Sequence, residues 1–393
     1  MWPASSFAEG RDTVKFKIAL AASAAAGAIA GVGFEAGDRG DRVPFINPQT
    51  IANAVCGGGA TSARAAFVRI GQAAASGRSD QAPIDIGVIP MQVGAIAYDV
   101  TTSSASAQAQ FNAGLAHLWN FNHGAAVGAF RAAQQADPQC AMCFWAEAFA
   151  HGPNINAPMS DDAVAPAWEA LQKAKALASG ASAKEQALIA ALETRYAKAQ
   201  PADRAPLDAA FADAMDKVAL AHPDDDFIAA LAAEANMDTQ AWDYWEADGR
   251  TPKGRTARTV SLIETVLARN PKHPAAIHLY IHLTEATDNP YRALPYAERL
   301  KALSPGLGHL IHMPSHTYFR IGRYKQSLAD NLAAVAADEA ELAKGPAHPM
   351  FEFGYYVHNI HFVLTSAHMA GARAHPRARG AGGEEEHPPQ EHP

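Results

Sequence analysis

The amino-acid sequence predicts an all-α protein, with tandem helix-turn-helix repeats stacked into an α-α superhelix that encloses a concave groove. Three observations lead there. Apolar residues make up 49% and charged residues 18% of the 393 positions, the composition of a folded chain. Alanine is abundant and β-branched residues are sparse through the middle, which favours helices because Ala loses no side-chain entropy on helix formation. Pro271 and Pro305 stand 34 residues apart, each after one helical stretch and before another, and a period of that length marks a stacked helical repeat. A formal net charge of -8 without any basic run argues against nucleic acid or an anionic membrane as the main partner.

Residues 1–30 read as an export signal with an upstream extension. Lys15 and Lys17 precede an apolar run, 18–30, that ends in the small-x-small pattern Ala28-Ile29-Ala30. The basic flank takes its expected place if translation starts near Val14. Such a run is too short to span a bilayer, so no stable membrane span is expected and the location implied is periplasmic or secreted. The alternative is an Ala-rich helix of the folded domain. Residues 31–106 are rich in Gly, Ser and Ala without a sustained hydrophobic period, apart from the apolar stretch 84–93, and read as an irregular leader.

Cys56, Cys140 and Cys143 are too few for a disulfide framework. Cys140 and Cys143 have C-x-x-C spacing, but Phe144 stands where haem attachment needs His, and no βαβ pattern surrounds the pair as in thioredoxins. No haem is expected. The pair is either a disulfide across the first turn of a helix or two small buried residues.

The repeat domain covers 107–371. Gly114, Ala126, Phe130, Ala133 and Pro138 fall at landmark positions of a tetratricopeptide unit, although Gln110 and Ala113 replace its usual tryptophan and leucine. The segments 163–178, 183–199 and 205–221 read as amphipathic helices broken at Gly180 and Pro201. Pro223 marks a further phase before an apolar helix over 227–237, and the irregular stretch 242–254 absorbs extra length before Pro271. After Pro305, Ser315, Tyr318, Gly322, Tyr324 and Ser327 repeat the landmarks, and a last helix is predicted over 355–370. Residues 372–393, rich in Gly, Pro, Arg, Glu and His, read as a disordered or aberrant tail, the mark of a truncated or frame-shifted end.

Several motifs carry a resemblance: Phe121-Asn122-His123, the run 137–142, Gly152-Pro153-Asn154-Ile155-Asn156-Ala157-Pro158-Met159, Trp242-Asp243-Tyr244-Trp245, the run 309–314 and His358-Asn359-Ile360-His361-Phe362. Over 107–371 the chain resembles a family of bacterial tetratricopeptide-repeat proteins of uncertain biochemical role. The resemblance implies a repeat scaffold and transfers no reaction.

The chemistry lies in the histidines. His278 and His282 stand seven and eleven residues after Pro271, and His312 and His316 take the same offsets from Pro305. With 17 histidines in the chain, four matched positions are not an expected coincidence. These offsets belong to the first helix of each unit, on the face lining the groove. Spacing of i and i+4 lets two imidazoles reach one metal ion. The same offsets from Pro223 give Ala230 and Glu234, and from Pro138 give Trp145 and Phe149, which confines the polar site to the carboxy-terminal units.

His309, His358 and His361 complete a candidate set of seven ligands, with Glu234 and Glu285 as possible additional carboxylates. Neutral imidazoles without thiolates suit zinc, copper, iron or nickel. Seven are more than one ion needs, so either two ions bind or some rings are outer partners. The competing reading is a set of buried histidines hydrogen-bonded between helices. Pro314 is expected to kink the chain between His312 and His316. Asn154-Ile155-Asn156 and Trp242-Asp243-Tyr244-Trp245 either line a ligand site or close a helical core. No phosphate-binding loop, nucleophile elbow or H-E-x-x-H motif occurs, so no nucleotide and no common hydrolase route is expected. Two function classes remain: a scaffold that holds a protein or peptide partner in its groove, and a metal-dependent enzyme, redox enzymes included.

Overall fold

The computed structural model describes residues 96–345 and 347–371. The expected export signal, most of the leader, Cys56 and the tail 372–393 lie outside the described residues. The regular elements among the described residues are helical, and extended pairing is confined to the isolated bridges Asn154 with Ala157 and Trp245 with Pro252. No helix among them is long and apolar enough to cross a membrane.

The chain begins its helices with α1 (Ala105–Trp119), α2 (His123–Ala136), α3 (Ala141–Ala150), α4 (Val164–Leu177), α5 (Ala183–Glu193), α6 (Ala205–Ala221) and α7 (Asp226–Asp238). After an irregular loop come α8 (Thr256–Arg269), α9 (Pro274–Glu285), α10 (Leu294–Leu303), α11 (Gly308–His312), α12 (Pro314–Arg320) and α13 (Tyr324–Leu342). A π-helical turn, Met350–Tyr355, leads into α14 (Tyr356–Met369). The segments predicted at 163–178 and 205–221 are thus α4 and α6. The one predicted at 183–199 stops early: the Thr194 hydroxyl donates to the Ala191 carbonyl, and Arg195 turns inward to donate to Pro153 and Asp238.

Local chemistry sets the helix starts. Ser104, Asn122, Asp225 and His273 each accept a hydrogen bond from one of the free N–H groups of the helix that follows. Ser182 and Glu185 form a reciprocal capping box at α5. Cys140 caps α3 and is joined to Cys143 by a disulfide, which decides between the two readings of that pair.

Neighbours in sequence pack as neighbours in space, α1 on α2, α2 on α3, α3 on α4, α6 on α7, α7 on α8 and α13 on α14. Gly114 faces the Phe130 ring so closely that a Cβ there would overlap it, so the small landmark of one helix makes room for the aromatic landmark of the next. Phe111, Trp145, Leu171, Met215 and Ile263 belong to one continuous core. The leader's last residues join it: Ile96 and Val100 are buried, and Tyr98 stacks on Phe227 with ring centroids 4.1 Å apart.

The two ends of the helical array also meet. α1 touches α9. At the end of α1, Asn120 Oδ1 accepts from the Leu310 N–H at 3.2 Å, across 190 residues of sequence. This contact places the turn after α1 beside the carboxy-terminal helices.

On α13, Asp338 lies against Gly308 at the start of α11, where it leaves no room for a Cβ, and accepts from Asn359 Nδ2 at 2.7 Å. Burial pushes its carboxyl up from 3.8 to about 7, so the folded chain keeps a proton that the unfolded chain releases. The resulting stabilisation is complete below pH 3.8 and is lost as pH rises through about 7. In chelator-treated protein, Asp338→Asn should therefore gain urea resistance relative to the parent as the buffer is taken from acidic to mildly alkaline pH. A gap between the two urea midpoints that does not change with pH would contradict the assignment.

Candidate metal centre

Six histidines from α9, α11, α12 and α14 gather into two groups of three. His278 and His282, one turn apart on α9, meet His309 of α11; His312 at the end of α11 meets His316 of α12 and His358 of α14. Within each group the potential ligand nitrogens lie within 4.8 Å of one another. His278 Nε2 is 3.0 Å from His282 Nε2 and 3.1 Å from His309 Nε2. His312 Nε2 is 2.8 Å from His316 Nε2 and 3.1 Å from His358 Nε2. Nitrogens bound tetrahedrally to an ion at 2.0–2.1 Å stand about 3.3 Å apart, so each set converges on a point of the size a metal ion needs.

Pro314 does not part His312 from His316. Met313 keeps helical angles, φ -52° and ψ -40°, across the junction of α11 and α12, and the two rings face each other despite the lost N–H. The groups also adjoin: ring centroids are 5.8 Å apart for His309 with His312 and for His282 with His316.

Hydrogen bonds fix two of the tautomers. Asn331 Nδ2 donates to the Ser327 carbonyl at 2.7 Å, which leaves its Oδ1 facing His312 Nδ1 at 2.6 Å. An amide oxygen only accepts, so His312 carries its proton on Nδ1 and a lone pair on Nε2. The longer approach of Ser315 Oγ to the same Nδ1, at 3.3 Å, leaves this assignment in place. His316 Nδ1 likewise donates to Glu285 Oε1 at 2.9 Å, which turns its Nε2 inward. A ring nitrogen held this way by an outer acceptor is the usual partner arrangement of a metal-ligating histidine. The other triad differs, because the Nδ1 atoms of His282 and His309 are buried without a hydrogen-bond partner.

Burial keeps five of the six rings neutral, those of His278, His282, His309, His312 and His358. His278 and His312 are 0% exposed, and His282, His309 and His316 are 2% exposed. Desolvation pushes His278 down to about 3. It also drives His282, His309, His312 and His358 well below the ordinary imidazole value, with the neighbouring imidazoles adding to it. Neutral imidazole is the form that binds metal.

Aromatic rings frame the centre. Phe121 packs on His278 and His309 with centroids 4.6 and 5.0 Å away, and Trp242 meets His282 edge-on at 5.0 Å. Among the described residues, Phe121 (φ 54°) and Trp242 (φ 67°) are the two non-glycine residues with left-handed backbone. That conformation costs roughly 1–2 kcal/mol per residue and is retained where surrounding packing over-determines it. Both instances press a ring onto the first triad. Phe362 covers the second, 4.8 Å from both His312 and His316.

The remaining sequence candidates fall outside the ligand groups. Glu285 orients His316. Glu234 is buried and belongs to neither triad; burial raises its carboxyl to about 7 against the pull of Arg195. His361 belongs to neither triad, because the next position on α14, one full turn from His358, is Phe362, and it is this ring that faces the imidazoles. Asn154 and Trp242 do approach the site: Asn154 Nδ2 lies 3.3 Å from His123 Nε2, in the turn that also carries Phe121. Sequence reading missed Asn331 and the role of Phe121. The pair Ser327 and Asn331, one turn apart on an Ala-rich helix, was the available signal for the former.

Comparison with protein-family models found no match, and none of the curated proteins matches the chain. The site therefore rests on its own geometry. Nitrogen-15 NMR should find His312 and His316 protonated at Nδ1; a His312 ring protonated at Nε2 alone would contradict the geometry.

Proposed function

We propose that the chain is an exported tetratricopeptide-type repeat protein that holds two transition-metal ions, one in each histidine triad, with zinc, copper, iron and nickel as the chemically suited ions. The contact between His312 and His316 carries this reading: their Nε2 atoms are 2.8 Å apart while each ring gives its Nδ1 proton to another acceptor. Two ring nitrogens that close in a buried site need a positive charge between them, and a transition-metal ion shared with His358 supplies it as coordination. Three imidazoles fill three positions of a tetrahedral ion and leave one open.

Burial favours an ion over a peptide as the ligand of these rings. Five of the six rings are 0–2% exposed and His358 is partly exposed, which leaves little surface against which a chain could lie. A protein or peptide partner would have to use another face of the repeats. The export element of the proposal is supported by the basic flank at Lys15 and Lys17 and by the Cys140–Cys143 disulfide, a bond of oxidising compartments. The repeat-type element is supported by the packing of successive helices and by the match of Gly114 to Phe130.

The test is elemental analysis of full-length protein loaded with cobalt(II) or zinc(II) and then desalted. Two ions per chain are expected, with His278→Ala losing one and His312→Ala losing the other while circular dichroism and melting stay those of a folded protein. Asn331→Ala, which removes no ligand, should weaken the second site about 10–100-fold in chelator competition. Protein that retains no ion after reconstitution would overturn the proposal.

A further inference from the structure

The two triads differ from a pair of independent sites in four respects. They share one helical run: His309 and His312, three residues apart, give their rings to different triads and stack at 29° with centroids 5.8 Å apart. A second link of the same length joins His282 to His316. All six donors are imidazoles, and among the hydrogen-bond partners described for them one is a carboxylate, Glu285. Finally, Phe121, Trp242, Tyr355 and Phe362 cover the rings, so whatever meets the open coordination positions is small.

Charge then selects the metal. Two divalent ions would place four positive charges in a largely buried cluster to which, among the described residues, one carboxylate, Glu285, is hydrogen-bonded, and the cost of desolvating an ion rises steeply with its charge. Copper in its monovalent state halves that load, and a three-nitrogen pocket suits it. Zinc has no such lower state.

Building on the two-ion reading above, we propose that the triads form one coupled copper pair whose small-molecule ligand is dioxygen. In the reduced pair each copper(I) gives up one electron. The oxygen molecule accepts both, loses its π bond and remains between two copper(II) ions as peroxide, and no proton is taken up or released. The two positive charges gained by the copper ions are matched by the two negative charges of peroxide, so the buried cluster keeps its net charge. Reversal of the same electron flow releases dioxygen.

The experiment loads full-length protein with copper(I) under argon, counts bound copper against a colorimetric copper(I) chelator, and then admits dioxygen. Two copper ions per chain, uptake of one dioxygen per pair, and no copper(II) electron paramagnetic resonance signal after oxidation, because the two copper(II) ions couple antiferromagnetically, are expected. In His309→Gln, which opens one triad, dioxygen uptake should disappear and any copper(II) formed should give a full mononuclear signal. If the parent protein shows that full mononuclear signal, or takes up no dioxygen, the coupled pair is overturned. Two cobalt(II) ions bound by the same preparation would leave the two-ion reading standing; failure to bind either metal would remove both.

Discussion

The Nε2 atoms of His312 and His316 stand 2.8 Å apart in a buried site, and the arrangement depends on one positive charge, a metal ion or a proton, to reconcile them. The surrounding side chains enforce the conflict. Asn331 is itself locked by the Ser327 carbonyl, and Glu285 holds the second ring, so neither imidazole can turn its proton inward without losing a buried hydrogen bond. Helix spacing does the rest. Residues one turn apart on α9 and across the α11–α12 junction bring their rings together without any loop having to be ordered for the purpose.

The site is also where the chain closes on itself. The turn after α1 reaches residues nearly two hundred positions away: Asn120 meets the backbone of α11, and Phe121 lies on His278 and His309. A row of helices that touched only their neighbours in sequence would leave these histidines facing water. Contact between the ends instead buries most of them, and that burial keeps His278, His282, His309, His312 and His358 neutral. The left-handed backbone at Phe121 and Trp242 is the strain accepted for this aromatic wall.

Much of this was legible in the chain. Alanine content and breaks at Gly180 and Pro201 located α4 to α6, and the matched offsets from Pro271 and Pro305 located His278, His282, His312 and His316. Those signals are local or periodic, and sequence displays both. Partnerships set by the closing of the array were not legible: nothing near Phe121 names His278, and nothing near Asn331 names His312. Glu234 and His361 had the right chemistry at nearly the right spacing, yet Glu234 lies with Arg195 and His361 is turned one position off the face that Phe362 occupies. Pro314 misled for a related reason, since a missing N–H at the junction of two short helices need not redirect the face they share.

Crystals of the zinc- or copper-loaded protein, measured above and below the metal's absorption edge, put the question most directly. Two anomalous peaks are expected, one equidistant from the Nε2 atoms of His278, His282 and His309 and the other from those of His312, His316 and His358. Crystals grown with metal in excess that carry no peak at either point, with His312 and His316 rotated apart, would show that the cluster is an ordinary set of buried histidines.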